Sequence, residues 1–202
     1  MDDFTTLRRQ ADDAMRKGDF QAANRLYCAA WDHYGDQRVA ASEAGTVREF
    51  DKQHTAEEAF WLLLSGANAQ FHCGDFEGCL DTGVTAFELF KDLGFVVGNP
   101  FFHLRVGQAS FELEEPDEHD EKGTAIDNLA RALICGGIEI FSGETPKYLE
   151  AVTAVLKPPE DFSSWHEAKN VGCCLSNLNG ASGYLAEVFT EKYGSPPPYE
   201  SP

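Results

Sequence analysis

The stretch "KGDFQAANRLYCAAW", Lys17 to Trp31, recurs in altered form as "CGDFEGCLDTGVTAFEL", which begins at Cys73. Each copy places Gly-Asp-Phe before a segment whose apolar residues return every three or four positions, the spacing of one helix face. Glycine suits the left-handed position after a helix end, and aspartate is a preferred N-cap of the next helix. The two copies therefore predict tight turns between helices at Gly18 and at Gly74.

The segments before these turns have the same helical spacing of apolar residues, from Phe4 in the first copy and from the N-cap candidate Thr55 in the second. A third copy begins at "GNPFFHLRVGQASFELEE", where Asn99 predicts an N-cap and Pro100 suits the first helical position. Its tight turn is replaced by the acidic stretch "EEPDEHDEKGT", which predicts an exposed loop. Three helical hairpins are therefore expected.

The spacing of small residues in these copies resembles that of the tetratricopeptide repeat. In that family, small residues on the two helices of a hairpin face each other, because the helices cross closely and a branched side chain would separate them. The matching small residues are Ala11, Ala23 and Ala30, then Ala67, Cys79 and Ala86, then Gly107, Ala125 and Ala132. We therefore predict an all-α fold, a tetratricopeptide-like stack of about three antiparallel helical hairpins with extra C-terminal helices.

The chain departs from the repeat pattern in two places. Gly18 and Gly74 are 56 residues apart, where the repeat length is about 34, so an extra segment, "YGDQRVAASEAGTVREFDKQH", separates the first two units. Gly83 also stands where an aromatic residue is usual. The helical hairpins are expected to remain, but a regular superhelix is not, and the extra segment is the first place to look for specificity.

The predicted domains are residues 1–160, a helical repeat domain, and residues 161–202, a C-terminal helical extension with a proline-rich tail, "SPPPYESP". Within the first, Pro146 predicts the start of a short helix whose apolar face closes the stack, as terminal caps do in solenoids.

The net charge of −18 is the strongest signal in the composition. An acidic field repels phosphate backbones and anionic membranes and attracts basic partners, so nucleic-acid and membrane binding are not expected. Apolar runs such as "AFWLLL" are far shorter than the roughly 20 residues of a membrane span. The acidic start "MDDFTTLRRQADD" does not resemble a secretory signal, and a cytoplasmic location is predicted.

No catalytic motif is recognisable in the sequence. It has no phosphate-binding loop and no Gly-x-Ser-x-Gly, and its six cysteines lack zinc or disulfide spacing. The acidic run "DEHDE" offers carboxylates and His119 to a divalent cation, although a solvated loop is the favoured interpretation. We therefore predict a protein that is not an enzyme and has no cofactor and no bound metal.

Proteins built from such repeats bind partners in the groove formed by the first helix of each hairpin. Residues that face this groove can be assigned by counting along the first helix of each hairpin from its small residue. Among them, Trp61 and Phe101 are the favoured anchors, because large aromatic side chains contribute most of the binding energy at interfaces. Packing of these aromatics against the extra segment is the competing interpretation. The predicted partner-binding residues are Asp12, Trp61, Asn68, His72, Phe101, Gln108 and Glu112, together with Asp117, Glu118, Asp120 and Glu121 of the acidic loop.

The segments "GNPFFHLR" and "PKYL", within residues 1–160, resemble small bacterial tetratricopeptide-like proteins, some of which act as immunity proteins of polymorphic or secreted toxins. The resemblance implies that this protein binds and neutralises a cognate antibacterial toxin, possible targets including a basic nuclease-type effector. The alternative is a general adaptor that binds a peptide or a housekeeping protein in its groove. In both cases the partner is a protein, and the oligomeric state is left open.

Overall fold

The computed structural model describes residues 3–93, 95, 96, 98–113, 122–158 and 163–167, and for residues 122–124 it describes the backbone alone. Over these residues the chain forms eight α-helices, one 3-10 helix at Ile138–Phe141 and no strand, so the all-α prediction is confirmed. The α-helices are α1 (Phe4–Arg16), α2 (Phe20–Glu43), α3 (Val47–Gln53), α4 (Ala56–His72), α5 (Phe76–Phe90), α6 (Pro100–Leu113), α7 (Lys122–Gly136) and α8 (Pro146–Val155). The chain divides into two compact units, Met1–Leu93 and Gly94–Pro202.

Both Gly-Asp turns lie where the sequence predicts them. Gly18 and Gly74 have φ angles of +74° and +81°, a conformation that glycine adopts without a steric penalty. The side chain of Asp19 accepts a hydrogen bond from the N–H of Ala22, and Asp75 accepts one from Gly78, each at 3.0 Å. The motif thus ends one helix and caps the next in both copies.

The first unit consists of two helical hairpins. Helix α1 packs on α2 and α4 packs on α5, and the hairpins join where α2 packs on α4. Thr55 begins α4 with a capping box, in which its hydroxyl accepts from the N–H of Glu58 and its own N–H donates to the Glu58 carboxylate. The predicted small residues of this unit, Ala11, Ala23, Ala30, Ala67, Cys79 and Ala86, are all buried, which confirms the close helix packing expected of them.

The extra segment of the first unit is helical. Helix α2 continues beyond the buried Tyr34 to Glu43, and the short helix α3 packs back on it after a turn at Gly45. The ring of Tyr34 lies 5.5 Å from that of Phe50, and His54 lies 4.7 Å from Phe4. The unusual spacing between the two Gly-Asp turns therefore reflects a long α2 and an added helix.

The second unit is built around the close contact between α6 and α7. Asn99 caps α6 by accepting from the N–H of Phe102 at 3.0 Å, and Pro100 is the first helical residue, as predicted. A Cβ atom on Gly107 would lie only 2.9 Å from the backbone nitrogen of Leu129 in α7, so the helices meet at a position that only glycine fits. Helix α8 begins at Pro146, also as predicted.

Several sequence-based expectations lie outside the described residues. These are residues 114–121 of the predicted acidic loop, most of the C-terminal extension, and the adjacent Cys173 and Cys174. The last three residues of that predicted loop, 122–124, are instead the first residues of helix α7. The domain limits of 1–160 and 161–202 stay a prediction. Among the helices that the structure describes, none combines the length and the apolar character required to cross a membrane.

Candidate functional site

One face of α4 carries three of the predicted binding residues. Trp61, Asn68 and His72 follow one another at helical spacing together with Ser65, and all four side chains remain partly or fully exposed. The opposite face of α4, which includes Leu63, is buried.

Tyr27 of α2 connects this face with the fourth predicted residue of the unit. Its hydroxyl donates a 2.5 Å hydrogen bond to the Asp12 carboxylate of α1 and lies beside Ser65 of α4. Burial, and next the hydrogen bond to Asp12, raises the pKa of Tyr27 well above its usual range. The structure therefore brings Asp12 to the side of α4 that carries Trp61 and Asn68.

The two aromatic rings of this face, Trp61 and His72, each pack against another aromatic ring of the first unit. His72 stacks on Phe20 of α2 with ring centroids 4.8 Å apart, and Trp61 meets the buried Phe60 edge to face at 5.6 Å. Such packing limits the rotamers of both side chains, so a partner would lose little side-chain entropy in binding them.

The predicted residues of the second unit lie in an internal network. Gln108 has no exposed surface: its amide donates to Glu144 at 2.9 Å and its oxygen accepts from Arg105 at 2.5 Å. Arg105 completes the triangle with a 2.9 Å ion pair to Glu144 and lies 5.0 Å from the centre of the Phe101 ring. These contacts attach the segment before α8 to α6.

Glu112 makes a second attachment at the start of α8. Its carboxylate accepts from the hydroxyl of Tyr148 and pairs with the ammonium of Lys147, both at 2.5 Å. Burial opposes the charge of Glu112, but the bonds from Lys147 and Tyr148 outweigh it, and the pKa of Glu112 is lowered.

Contact of Phe101, Gln108 or Glu112 with a partner stays a prediction. Asp117, Glu118, Asp120 and Glu121 lie outside the described residues.

The first unit has a cleft of about 920 Å³, which we call the large cleft. It opens where the extended end of α2 and the added α3 face the end of α5. Its lining is mostly apolar and aromatic, and consists of Trp31, Tyr34, Gly35, Arg38, Val39, Ser42, Val47, Asp51, His54, Ala56, Leu89 and Phe90. The irregular spacing of the turns indicated the importance of the extra segment, but no local pattern indicated that the end of α5 would face it.

Two aliphatic side chains of the large cleft are unusually exposed. Val39 of α2 is 59% exposed and Leu89 of α5 is 57% exposed. One exposed aliphatic residue is ordinary on a protein surface, but two on different helices of a single concave, aromatic-lined opening are typical of a binding site.

The polar groups of the large cleft are few. The guanidinium of Arg38 donates to both oxygens of Asp51, at 3.0 and 3.4 Å, and so connects α2 with α3. The half-buried imidazole of His54 lies against Phe50 and Phe4. Apart from this ion pair, His54 and Ser42, the lining of the large cleft is apolar or aromatic.

A second opening, the small cleft, has a volume of about 140 Å³ and lies between α2, α4 and α5. Trp31 lines both clefts, so the two are neighbours along α2. The small cleft is lined by Tyr27, Cys28, Trp31, Asp32, Leu62, Leu63, Gly66, Gln70 and Thr82.

Comparisons with protein-family models, with curated proteins and with solved structures found no match. Among the described residues, no three histidine, cysteine or acidic side chains are grouped as metal ligands. The candidate sites are therefore defined by their own shape and chemistry: an exposed aromatic and amide face on α4, and the large cleft with its small neighbour.

Proposed function

We propose that this chain is a non-enzymatic protein-binding protein that holds a basic protein partner in the large cleft. The carrying observation is the pair of exposed aliphatic side chains, Val39 and Leu89, which belong to different helices but line the same aromatic opening. Burying them against a partner would be favourable by about 25 cal/mol for each Å² of apolar surface removed from water.

The charge of the chain supports a basic partner. At a net charge of −18, the protein attracts positively charged surfaces over a Debye length and increases their rate of encounter. The large cleft would then supply the short-range apolar contacts that keep the complex together.

The repeat class of the hairpins and the identity of the partner are proposed mainly from the sequence. We propose that the hairpins α1/α2, α4/α5 and α6/α7 are tetratricopeptide-like units, supported by the buried small residues at matching positions. The resemblance of "GNPFFHLR" and "PKYL" to bacterial immunity proteins suggests an antibacterial toxin as the partner, bound and neutralised in the cytoplasm.

Co-expression with the product of the adjacent gene tests this proposal directly. Rescue of growth from that product, and its recovery in a stable complex, would support immunity. A toxic product that is neither bound nor neutralised would contradict it. A complex whose association rate falls steeply with salt favours a single basic partner, whereas micromolar binding of several peptides would favour the general adaptor.

A matched pair of variants identifies the binding surface. Leu89→Asp puts a charge into the large cleft, and Val84→Asp puts the same charge on the same helix at a residue that is 52% exposed but does not line the cleft. We expect Leu89→Asp to weaken the complex at least tenfold and Val84→Asp to have little effect. Equal effects would reject the large cleft, and a loss confined to Trp61→Ala would instead locate binding on the exposed face of α4.

A further inference from the structure

One residue that lines the small cleft has a buried hydrogen-bond acceptor without a partner. Gln70 lines the cleft and is only 8% exposed, and its side-chain oxygen Oε1 makes no hydrogen bond. An acceptor enclosed in this way costs about 1–3 kcal/mol, so native proteins rarely keep one without a reason. A ligand that brings an N–H donor into the small cleft would remove this cost.

The electrostatics of the small cleft favour a cationic donor. Asp32 lines it, and no lysine, arginine or histidine does. The thiol of Cys28, also in the lining, has its pKa raised by burial and then by the negative charges of Asp32 and Asp75.

The size and walls of the small cleft suit one extended side chain. Its volume of about 140 Å³ is close to the roughly 150 Å³ cavity that accepts a benzene molecule. Leu62 and Leu63 supply apolar surface for an aliphatic stem, and the indole of Trp31 offers a ring on which a planar cation stacks.

We propose that the small cleft binds one arginine side chain of the protein partner, whose guanidinium donates to Gln70 Oε1 and pairs with Asp32. Arginine fits better than lysine because its planar group carries five donors and can serve both acceptors at once while stacking on Trp31. The small cleft's preference for a guanidinium is independent of the proposed function. The further step, that the arginine belongs to a partner bound in the adjoining large cleft, rests on the proposed function.

Titration of the isotope-labelled chain with N-acetylarginine N-methylamide, followed by NMR, tests the preference. This probe carries no charge except its guanidinium. We expect saturable shifts of the Trp31 indole and Gln70 side-chain amide signals. The citrulline counterpart, which has nearly the same shape and no charge, should bind at least tenfold more weakly, and the lysine counterpart should also bind more weakly than arginine.

Two variants make the test specific. Asp32→Asn should lower the affinity for the arginine probe about tenfold, because a hydrogen bond to a charged group is lost. Asp36→Asn, also an exposed aspartate of α2 but outside the small cleft, should leave the affinity unchanged. Gln70→Leu should also abolish binding, and because Asp32 is exposed, its variant gives an answer even if Gln70→Leu does not fold.

Equal shifts with arginine and citrulline, no saturable shift, or equal effects of the two asparagine variants would overturn the proposal. Partner binding that is lost in Leu89→Asp but unchanged in Asp32→Asn would remove the arginine and leave the proposed function intact. The converse result, a selective arginine site in a chain that binds no protein, would remove the proposed function alone.

Discussion

Replacement of Gly107 by alanine is expected to separate α6 from α7. The added Cβ would lie 2.9 Å from the backbone nitrogen of Leu129, 3.0 Å from the Cγ of the same residue and 3.1 Å from the Cβ of Asn128. The closest of these atoms belongs to the backbone, so it cannot avoid the new methyl group by a change of rotamer. One of the helices must move.

The expected loss of stability follows from two opposing effects. Alanine is favoured over glycine inside a helix by about 1 kcal/mol, whereas overpacking of a tight core costs about 1–3 kcal/mol. Because the contact involves backbone, we expect the upper part of that range, and a net destabilisation of about 1–2 kcal/mol. Gly66→Ala is the matched control, because its Cβ would meet only the Cβ of Tyr27, at an ordinary 3.5 Å. That variant should gain about 0.5–1 kcal/mol.

Urea denaturation followed by far-UV circular dichroism measures both free energies. With a urea dependence of about 1–3 kcal/mol per molar, the midpoint for Gly107→Ala should fall by several tenths of a molar or more, while that for Gly66→Ala should rise. If Gly107→Ala proves as stable as the parent chain, or more stable, the close approach of α6 and α7 at this residue is refuted.

Three further predictions concern local contacts. Thr55→Ala removes the capping box of α4 and should lower the free energy of unfolding by about 1 kcal/mol, whereas Thr145→Ala, at an N-cap that makes no side-chain hydrogen bond, should be nearly neutral in a thermal melt. The pKa of Glu112 is lowered from its ordinary 4.5, so the charged carboxylate stabilises the fold above pH 4.5 and loses that contribution as the pH falls through the lowered pKa. Glu112→Gln should therefore lower the free energy of unfolding at neutral pH and lower it progressively less in acid. Unfolding measured at a series of pH values would show this trend. Gly18→Ala forces a side chain into a left-handed position and should destabilise by about 1 kcal/mol, and an unchanged melting temperature would contradict that role of the turn.

The turns and caps were predictable from the sequence because their signals are local. A glycine with a positive φ followed by a capping aspartate needs information from only a few residues, and both Gly-Asp pairs adopt this geometry. The helix starts at Thr55 and Pro146 are of the same kind. The small residues were predictable for a related reason, since helical spacing shows which positions share a face.

The exposure of each helix face was less predictable. Counting from the small residues assigned Gln108 to the face of the groove, yet its side chain has no exposed surface. Spacing identifies which residues lie on one side of a helix, but whether another part of the chain covers that side depends on contacts distant in sequence. For the same reason, the pairing of Gln108 with Glu144, 36 residues away, had no sequence signal.

The large cleft follows from a mismatch of helix lengths. At 1.5 Å per residue, the 24 residues of α2 extend about 36 Å, while the 13 residues of α1 cover only about 20 Å of that length. The remaining 16 Å or so must be covered by something else, and α3, with seven residues, is only about 10 Å long. The uncovered part of α2 carries Val39 and faces Leu89 across the opening. A regular repeat would have ended α2 near Tyr34 and left no such cleft, so the segment that breaks the repeat also creates the surface proposed to bind the partner.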